Sequence, residues 1–235
     1  MYLGVDEAGK GPVLGPMVAA AVLADPASLP ADVDDSKRLS PERREALDEA
    51  IRGSDGVAVG VAFGEPAEID RPDTDMNTLT VRGQARAVRA ALDGGLAAAL
   101  DGPIRVVADA GDTSEARFAR RLGEFVEEHG DADGAVDDLP GVDVAAFHGA
   151  DEADPVVGAA SVVAKVARDA RMAAIDDRYP AYDGVGSGYP SDPTTRAFLR
   201  AYVADRGDVP DCARRSWATC DDALAAAEQS ALHEF

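Results

Sequence analysis

Asp6 and Glu7 stand side by side at the end of an apolar run, Tyr2-Leu-Gly-Val, and a glycine-flanked lysine follows at Gly9-Lys10-Gly11. Paired carboxylates are hard oxygen ligands suited to Mg²⁺ or Mn²⁺. Neighbouring residues on a strand point to opposite faces, so these two acids are expected to share a metal only where the strand ends or bends. Gly9 and Gly11 supply that freedom and leave backbone N–H groups open to a ligand. The competing reading is a strand that ends in a plain polar turn. The spacing from Gly4 to Gly11 also matches the phosphate-binding loop G-x-x-x-x-G-K-[ST]. That reading fails, because Gly11 replaces the hydroxyl residue and Asp6 and Glu7 would repel phosphate from within the cradle.

Further acids fall where an α/β sheet places its chemistry. Asp109 ends the run Ile104-Arg-Val-Val-Ala108, and Asp151 lies between a strand at Val142–Phe147 and a long helix. If those strand ends are neighbours, four carboxylates converge with no His or Cys among them, a set suited to a two-metal phosphoryl site. Asp112, Glu152 and Asp154 are equally acidic neighbours, and periodicity leaves the choice open.

The elements that must position these groups read as follows. Strands are expected at the start, at Met17–Leu23 after a hairpin through Gly15-Pro16, at Val57–Phe63, at Ile104–Ala108 and at Val142–Phe147. Ser40 and Pro41 form an N-cap and first position for a helix to about Arg52. Glu65–Asp75 reads as a loop or short helix, and Asn77–Leu100 as mostly helical. Ser114 opens a helix to about His129, and Asp154-Pro155 one that runs to about Asp177. Thr194–Arg206 and Ala213–Ala227 complete the helices, while Gly130–Gly141 reads as a solvated acidic insertion. Five strands with interspersed helices predict an α/β domain with a mixed sheet, since the first strands join by short turns.

At 235 residues and 46% hydrophobic content the chain is expected to be globular, without a membrane span or signal peptide, and cytoplasmic. Cys212 and Cys220 are too few for a disulfide framework. A net charge of −21 argues naively against nucleic acid. Yet Lys10, Lys37 and Lys165 are the only lysines beside 44 acids, the pattern of a chain adapted to very high salt. At molar ionic strength the Debye length is about 3 Å, so a diffuse acidic surface repels a polyanion little. The surviving lysines therefore mark places that need an ammonium.

Five stretches carry a resemblance. Asp6-Glu-Ala-Gly-Lys-Gly-Pro12, Asp35-Ser-Lys-Arg-Leu-Ser40, Ala159-Ala-Ser-Val-Val-Ala-Lys-Val-Ala-Arg-Asp169, Gly186-Ser-Gly-Tyr-Pro-Ser-Asp-Pro193 and Arg214-Arg-Ser-Trp217 resemble type 2 ribonuclease H, in the family's order and across nearly the whole chain. All three lysines fall inside them. The resemblance implies an RNase H-like fold with a five-stranded mixed sheet flanked by helices. It also implies hydrolysis of the RNA strand of RNA–DNA hybrids and incision at single ribonucleotides embedded in duplex DNA, leaving 5′-phosphate and 3′-hydroxyl ends. Its metal set carries over to Asp6, Glu7, Asp109 and Asp151, with Mg²⁺ or Mn²⁺ as cofactor.

By the same resemblance the Gly9-Lys10-Gly11 backbone and Tyr189 contact the 2′-hydroxyl, which separates RNA from DNA. Ser36, Lys37, Ser161, Lys165 and Arg168 are expected at phosphates, with Asp169 orienting Lys165 or Arg168. Two departures stand out: Gly149 replaces the family's usual lysine before the fourth acid, and Asp154 a frequent tyrosine. The tail Gln229-Ser-Ala-Leu232-His-Glu-Phe235 resembles a motif that docks replication proteins onto the sliding clamp. Residues 1–180 thus read as the catalytic domain, 181–228 as a C-terminal helical extension completing the substrate groove, and 229–235 as a docking tail on a monomer. The rivals are a nuclease of the same fold without ribonucleotide recognition, and a catalytically silent hybrid-binding module.

Overall fold

A computed structural model describes residues 1–31, 33, 39–93, 95–96, 102–128 and 141–233, the last four by backbone alone. Its five-stranded sheet has the order β3-β2-β1-β4-β5, with β1 at Tyr2–Ala8, β2 at Met17–Ala24, β3 at Ala58–Gly64, β4 at Ile104–Asp109 and β5 at Val142–Phe147. β1 pairs antiparallel with β2 and parallel with β4, which pairs parallel with β5. The sheet is therefore mixed, as its short first connection required.

Alternation along the strands divides the core. Leu3 and Val5 of β1 and Val106 and Ala108 of β4 pack with Val81, Ala85 and Val88 of α3 (Met76–Leu92) and Phe118 and Leu122 of α4 (Glu115–Glu127). Ala20 and Val22 of β2 face the other way, onto Leu47 and Ile51 of α1 (Pro41–Gly53) and Val156 to Ala164 of α6 (Pro155–Asp176). β2 is buried along its whole length because helices cover both of its faces. Gly4 explains how close α6 comes: a Cβ there would lie 2.3 Å from the Val156 carbonyl carbon.

Local chemistry places the helix ends. Ser40 caps α1 through its side chain with Pro41 first in the helix, and Ser114 caps α4. Asp154 Oδ1 accepts from the N–H groups of Val156 and Val157 at the head of α6. Asp154 thus serves as a cap, and it also accepts from the Tyr2 hydroxyl at 2.8 and 2.9 Å.

Three expectations are corrected. α3 stops at Leu92 and Asp93 and Gly95 are outside the helix, so the helical run expected to Leu100 is broken; Gly94 and residues 97–100 lie outside the described residues. The last helix, α8, spans Ala218–His233, because Arg214 and Trp217 are engaged in turns before it begins. A short helix, α5 at Ala150–Ala153, escaped the sequence and carries Asp151; a Gly149 with φ of 73° precedes it. α2 (Pro66–Ile69) lies where a loop or short helix was expected, and α7 (Pro193–Arg206) where a helix was.

The chain divides into two compact units, one of Met1–Ala8, Val18–Phe63 and Met76–Ala167, the other of Gly9–Met17, Gly64–Asp75 and Arg168–Phe235. The sheet's two apolar layers belong to the first. The second has its own core of Leu14, Met172, Ile175, Phe198, Leu199 and Cys220, ringed by Tyr179, Tyr182 and Tyr202. Cys212 and Cys220 are buried free thiols, and burial raises the pKa of both. Among the described residues no helix is long and apolar enough to cross a membrane.

Candidate functional site

Within the first unit, the carboxyl end of β1 meets that of β4. Val5 is paired with Ala108, so Asp6 and Asp109 are the next residues on adjacent parallel strands. Paired residues of parallel neighbours face the same side, and strands lie about 4.8 Å apart. Asp6 is 5% exposed. Burial pushes its carboxyl well above the ordinary range, and the charges of Glu7 and then Asp109 push the same way; hydrogen bonds from Ser161 and the Glu7 N–H pull against them.

β1 continues through Ala8, so Asp6 and Glu7 do not lie at a strand end as expected and they take opposite faces. Glu7 turns to the α3 side, where Gln84 donates to its Oε2 at 2.7 Å and to the Asp109 carbonyl at 3.2 Å. Asp109 Oδ1 accepts the Ala150 N–H at 2.8 Å, which ties the head of α5 to β4. Asp151, the next residue on α5, is 8% exposed. On α6 the Ser161 hydroxyl, wholly buried, accepts from Lys165 Nζ at 2.8 Å, so an ammonium stands behind the group that bonds Asp6.

The neighbouring acids serve elsewhere. Asp112 holds Arg117 through bonds of 2.9 and 2.5 Å, and Asp154 caps α6. Among the described residues no three or more His, Cys, Asp or Glu are already closed to metal-ligand spacing. The charges of Glu7 and Asp109 instead bear on the buried Asp6 carboxyl, and an oxygen-liganded divalent cation is the group whose field would relieve such crowding.

The second unit holds the glycine loop. Gly9 has φ of 84°, and a Cβ there would strike the Arg168 side chain. Arg168 is 5% exposed, donates to the carbonyls of Leu14 and Ser187, and lies 5.5 Å from the centroid of the Tyr189 ring. Burial lowers its pKa. Tyr189 is 41% exposed, an aromatic left at the surface over a buried cation. Arg214, wholly buried, donates to the carbonyls of Gly9, Lys10 and Gly15 at 2.6, 2.9 and 3.0 Å.

A sequence model described as Ribonuclease HII matches residues 3–220. The chain belongs to the ribonuclease HII family. It is 55% identical over 235 residues to the Ribonuclease HII of Haloarcula marismortui, covering all of both chains. It is similar to the crystal structure of ribonuclease H2 from Pyrococcus horikoshii, with a TM-score of 0.78, 30% identity and coverage of 97% and 98% of the two chains. The RNase HII of Archaeoglobus fulgidus, solved in complex with PCNA, gives a TM-score of 0.76 at 32% identity and covers 95% and 96%. The five-stranded mixed sheet flanked by helices is thus the ribonuclease H-like fold, and the halophilic relative agrees with the salt-adapted composition.

Against that family, the structure draws together Asp6, Glu7 and Asp109, sets Asp151 one residue from the Ala150 anchor, and joins Ser161 to Lys165. Arg168 and Tyr189 meet in the second unit, with Asp169 next on α6. Ser36, Lys37 and Phe235 lie outside the described residues, as do the side chain of Leu232 and all of the acidic segment except Gly141; Gln229 is exposed on α8. Sequence reasoning missed Gln84. Its signal was present: Gln84 falls on the stripe of Val81, Ala85 and Val88, where a polar side chain at a core position calls for a partner. Arg214 was noticed as part of a motif, with no task assigned.

Proposed function

We propose that this chain is a divalent-metal-dependent endoribonuclease that hydrolyses the RNA strand of RNA–DNA hybrids and incises 5′ of single ribonucleotides embedded in duplex DNA. The observation that carries the reading is the buried Asp6 carboxyl, one residue beyond the Val5–Ala108 pair that joins β1 to β4, under the charges of Glu7 and Asp109. Asp6, Glu7, Asp109 and Asp151 would hold Mg²⁺ or Mn²⁺ as a pair of ions. When bound, such ions activate a water and neutralise charge on the leaving 3′ oxygen, giving 5′-phosphate and 3′-hydroxyl ends.

The chain's own groups keep the acids in place: Gln84 on Glu7, the Ala150 N–H on Asp109, and Ser161 with Lys165 behind it on Asp6. An ammonium carries three donors, so Lys165 keeps two for a phosphate oxygen after bonding Ser161. Lys37 and Ser36 share that task in this reading. Gly9, Lys10 and Gly11 offer backbone donors to the 2′-hydroxyl, and Tyr189 packs on the sugar with Arg168 beneath its ring. Asp169 offsets the Arg168 charge. Gln229, Leu232 and Phe235 dock a sliding clamp, a reading supported by the Archaeoglobus protein's complex with PCNA. The acidic, lysine-poor composition suits a cytoplasm of molar salt.

The deciding experiment uses a labelled DNA duplex with one ribonucleotide in molar KCl, with Mg²⁺ or Mn²⁺, beside an all-DNA control. Wild type cuts once, at the ribonucleotide, and Asp109→Asn does not. Cutting of the all-DNA duplex would instead show a general nuclease, and binding without cutting in either metal a silent module.

A further inference from the structure

Every carbonyl of the Gly9-Lys10-Gly11 loop is taken by one short segment of the same unit. Arg214 donates from Nη2 to Gly9 and from Nη1 to Lys10, and Trp217 Nε1 reaches the Gly11 carbonyl at 3.4 Å. The backbone closes the same seam, with the Arg214 N–H on the Val13 carbonyl and the Gly15 N–H on that of Cys212. In a trans peptide the C=O and N–H point in opposite directions. Holding the carbonyls of Gly9 and Lys10 therefore aims the N–H groups of Lys10 and Gly11 away from Arg214, toward the open side of the loop, where Gly11 is exposed.

The choice of an arginine is itself informative. A guanidinium with no exposure, bonded to neutral carbonyls, is a costly brace, and desolvation and the nearby Arg168 lower its pKa to about 10. What a cation adds over a neutral donor is its field. Positive charge behind two carbonyls polarises their peptide groups, and makes the N–H ends on the far side stronger donors.

We propose that Arg214 is the positioning residue for ribonucleotide recognition: it orients and polarises the Gly9-Lys10-Gly11 loop so that the Lys10 and Gly11 N–H groups meet the 2′-hydroxyl, with Trp217 fixing the loop's far end. This rests on the ribonuclease H reading above. It makes specificity for RNA depend on a side chain that never touches the substrate.

The test compares the KM of the duplex carrying one ribonucleotide with the Ki of the all-DNA duplex as competitor, in Mg²⁺ and molar KCl, for wild type and folded Arg214→Met. The KM is expected to rise about tenfold, a hydrogen bond's worth, with a clearly smaller change in Ki. Arg214→Lys, which keeps the charge but not the three-way geometry, is expected between wild type and Arg214→Met. Parallel losses in KM and Ki, or an unchanged KM, would overturn the proposal and leave Arg214 a plain structural brace. If Arg214→Met does not fold, Arg214→Lys and Trp217→Phe decide by the same ratio. A wild-type protein that binds the two duplexes equally and cuts both would overturn the ribonuclease H reading itself.

Discussion

Gln84 Nε2 donates to Glu7 Oε2 at 2.7 Å, across 77 residues of sequence and from a side chain with no exposure to solvent. The bond explains why a glutamine interrupts an apolar helix face: it fixes a carboxylate that points away from its neighbour Asp6. Partners that orient a metal-binding carboxylate typically contribute 10–100-fold in affinity or activity. Gln84→Leu is therefore expected to weaken apparent Mn²⁺ affinity by about 10–100-fold. Calorimetric titration of the folded variant measures this directly. Melting should change little, because the Gln84 Oε1 is buried without a hydrogen bond in the wild type and its removal offsets the lost contact.

Asp6→Asn should separate activity from stability. A carboxyl whose pKa is raised by folding favours the fold at low pH and opposes it once the pH passes its ordinary value. At neutral pH in chelator the uncharged variant is therefore expected to melt higher than wild type. With Asp6 as the metal ligand proposed above, cleavage should nevertheless fall by about 10³-fold, since several kcal/mol of charge stabilisation would depend on it. A variant that melts lower in chelator would show that Asp6 ionised is a stabilising group.

Ser161→Ala removes a buried hydroxyl that links Lys165 to Asp6. The loss leaves two charged groups short of a partner, and a stability cost of about 1–3 kcal/mol is expected. Urea unfolding at fixed KCl reads it. A change within experimental error would mean that water replaces the hydroxyl.

Asp112 gives a pH signature away from the site. The Arg117 bond holds its pKa at about 2, below the ordinary 3.8. Its contribution to stability is present above the ordinary value and is lost as the pH falls through about 2. Asp112→Asn should lower melting at pH 6 and converge with wild type near pH 2, so the difference between two acid-melting curves tests the sign.

Local signals along the chain determined much of this protein. The Ser40-Pro41 and Ser114 starts and the β5 run at Val142–Phe147 depend on neighbours within a few residues, and each is where its residues place it, whereas the link from β1 to β2 is no turn at Gly15-Pro16 but the segment Gly9–Pro16, held by distant residues such as Gly188 and Cys212. The motif stretches marked the family, and lysine scarcity marked Lys165, because composition and spacing are properties of the chain itself.

What tertiary structure decided was every relationship carried across the sequence. β1 runs on through Glu7, so the two acids face opposite ways, and a partner on α3 holds the second; the glycines after the strand gave no hint of this. α5 is four residues long and is held by the Asp109 carboxylate on its first N–H, too short a run to show helical periodicity. Arg214 lies 205 residues from Gly9, and its bonds follow from which carbonyls are left to be paired when its side chain is buried against them. Residue types limit which bonds can form; only the packed chain determines which acids, carbonyls and cations have to satisfy one another.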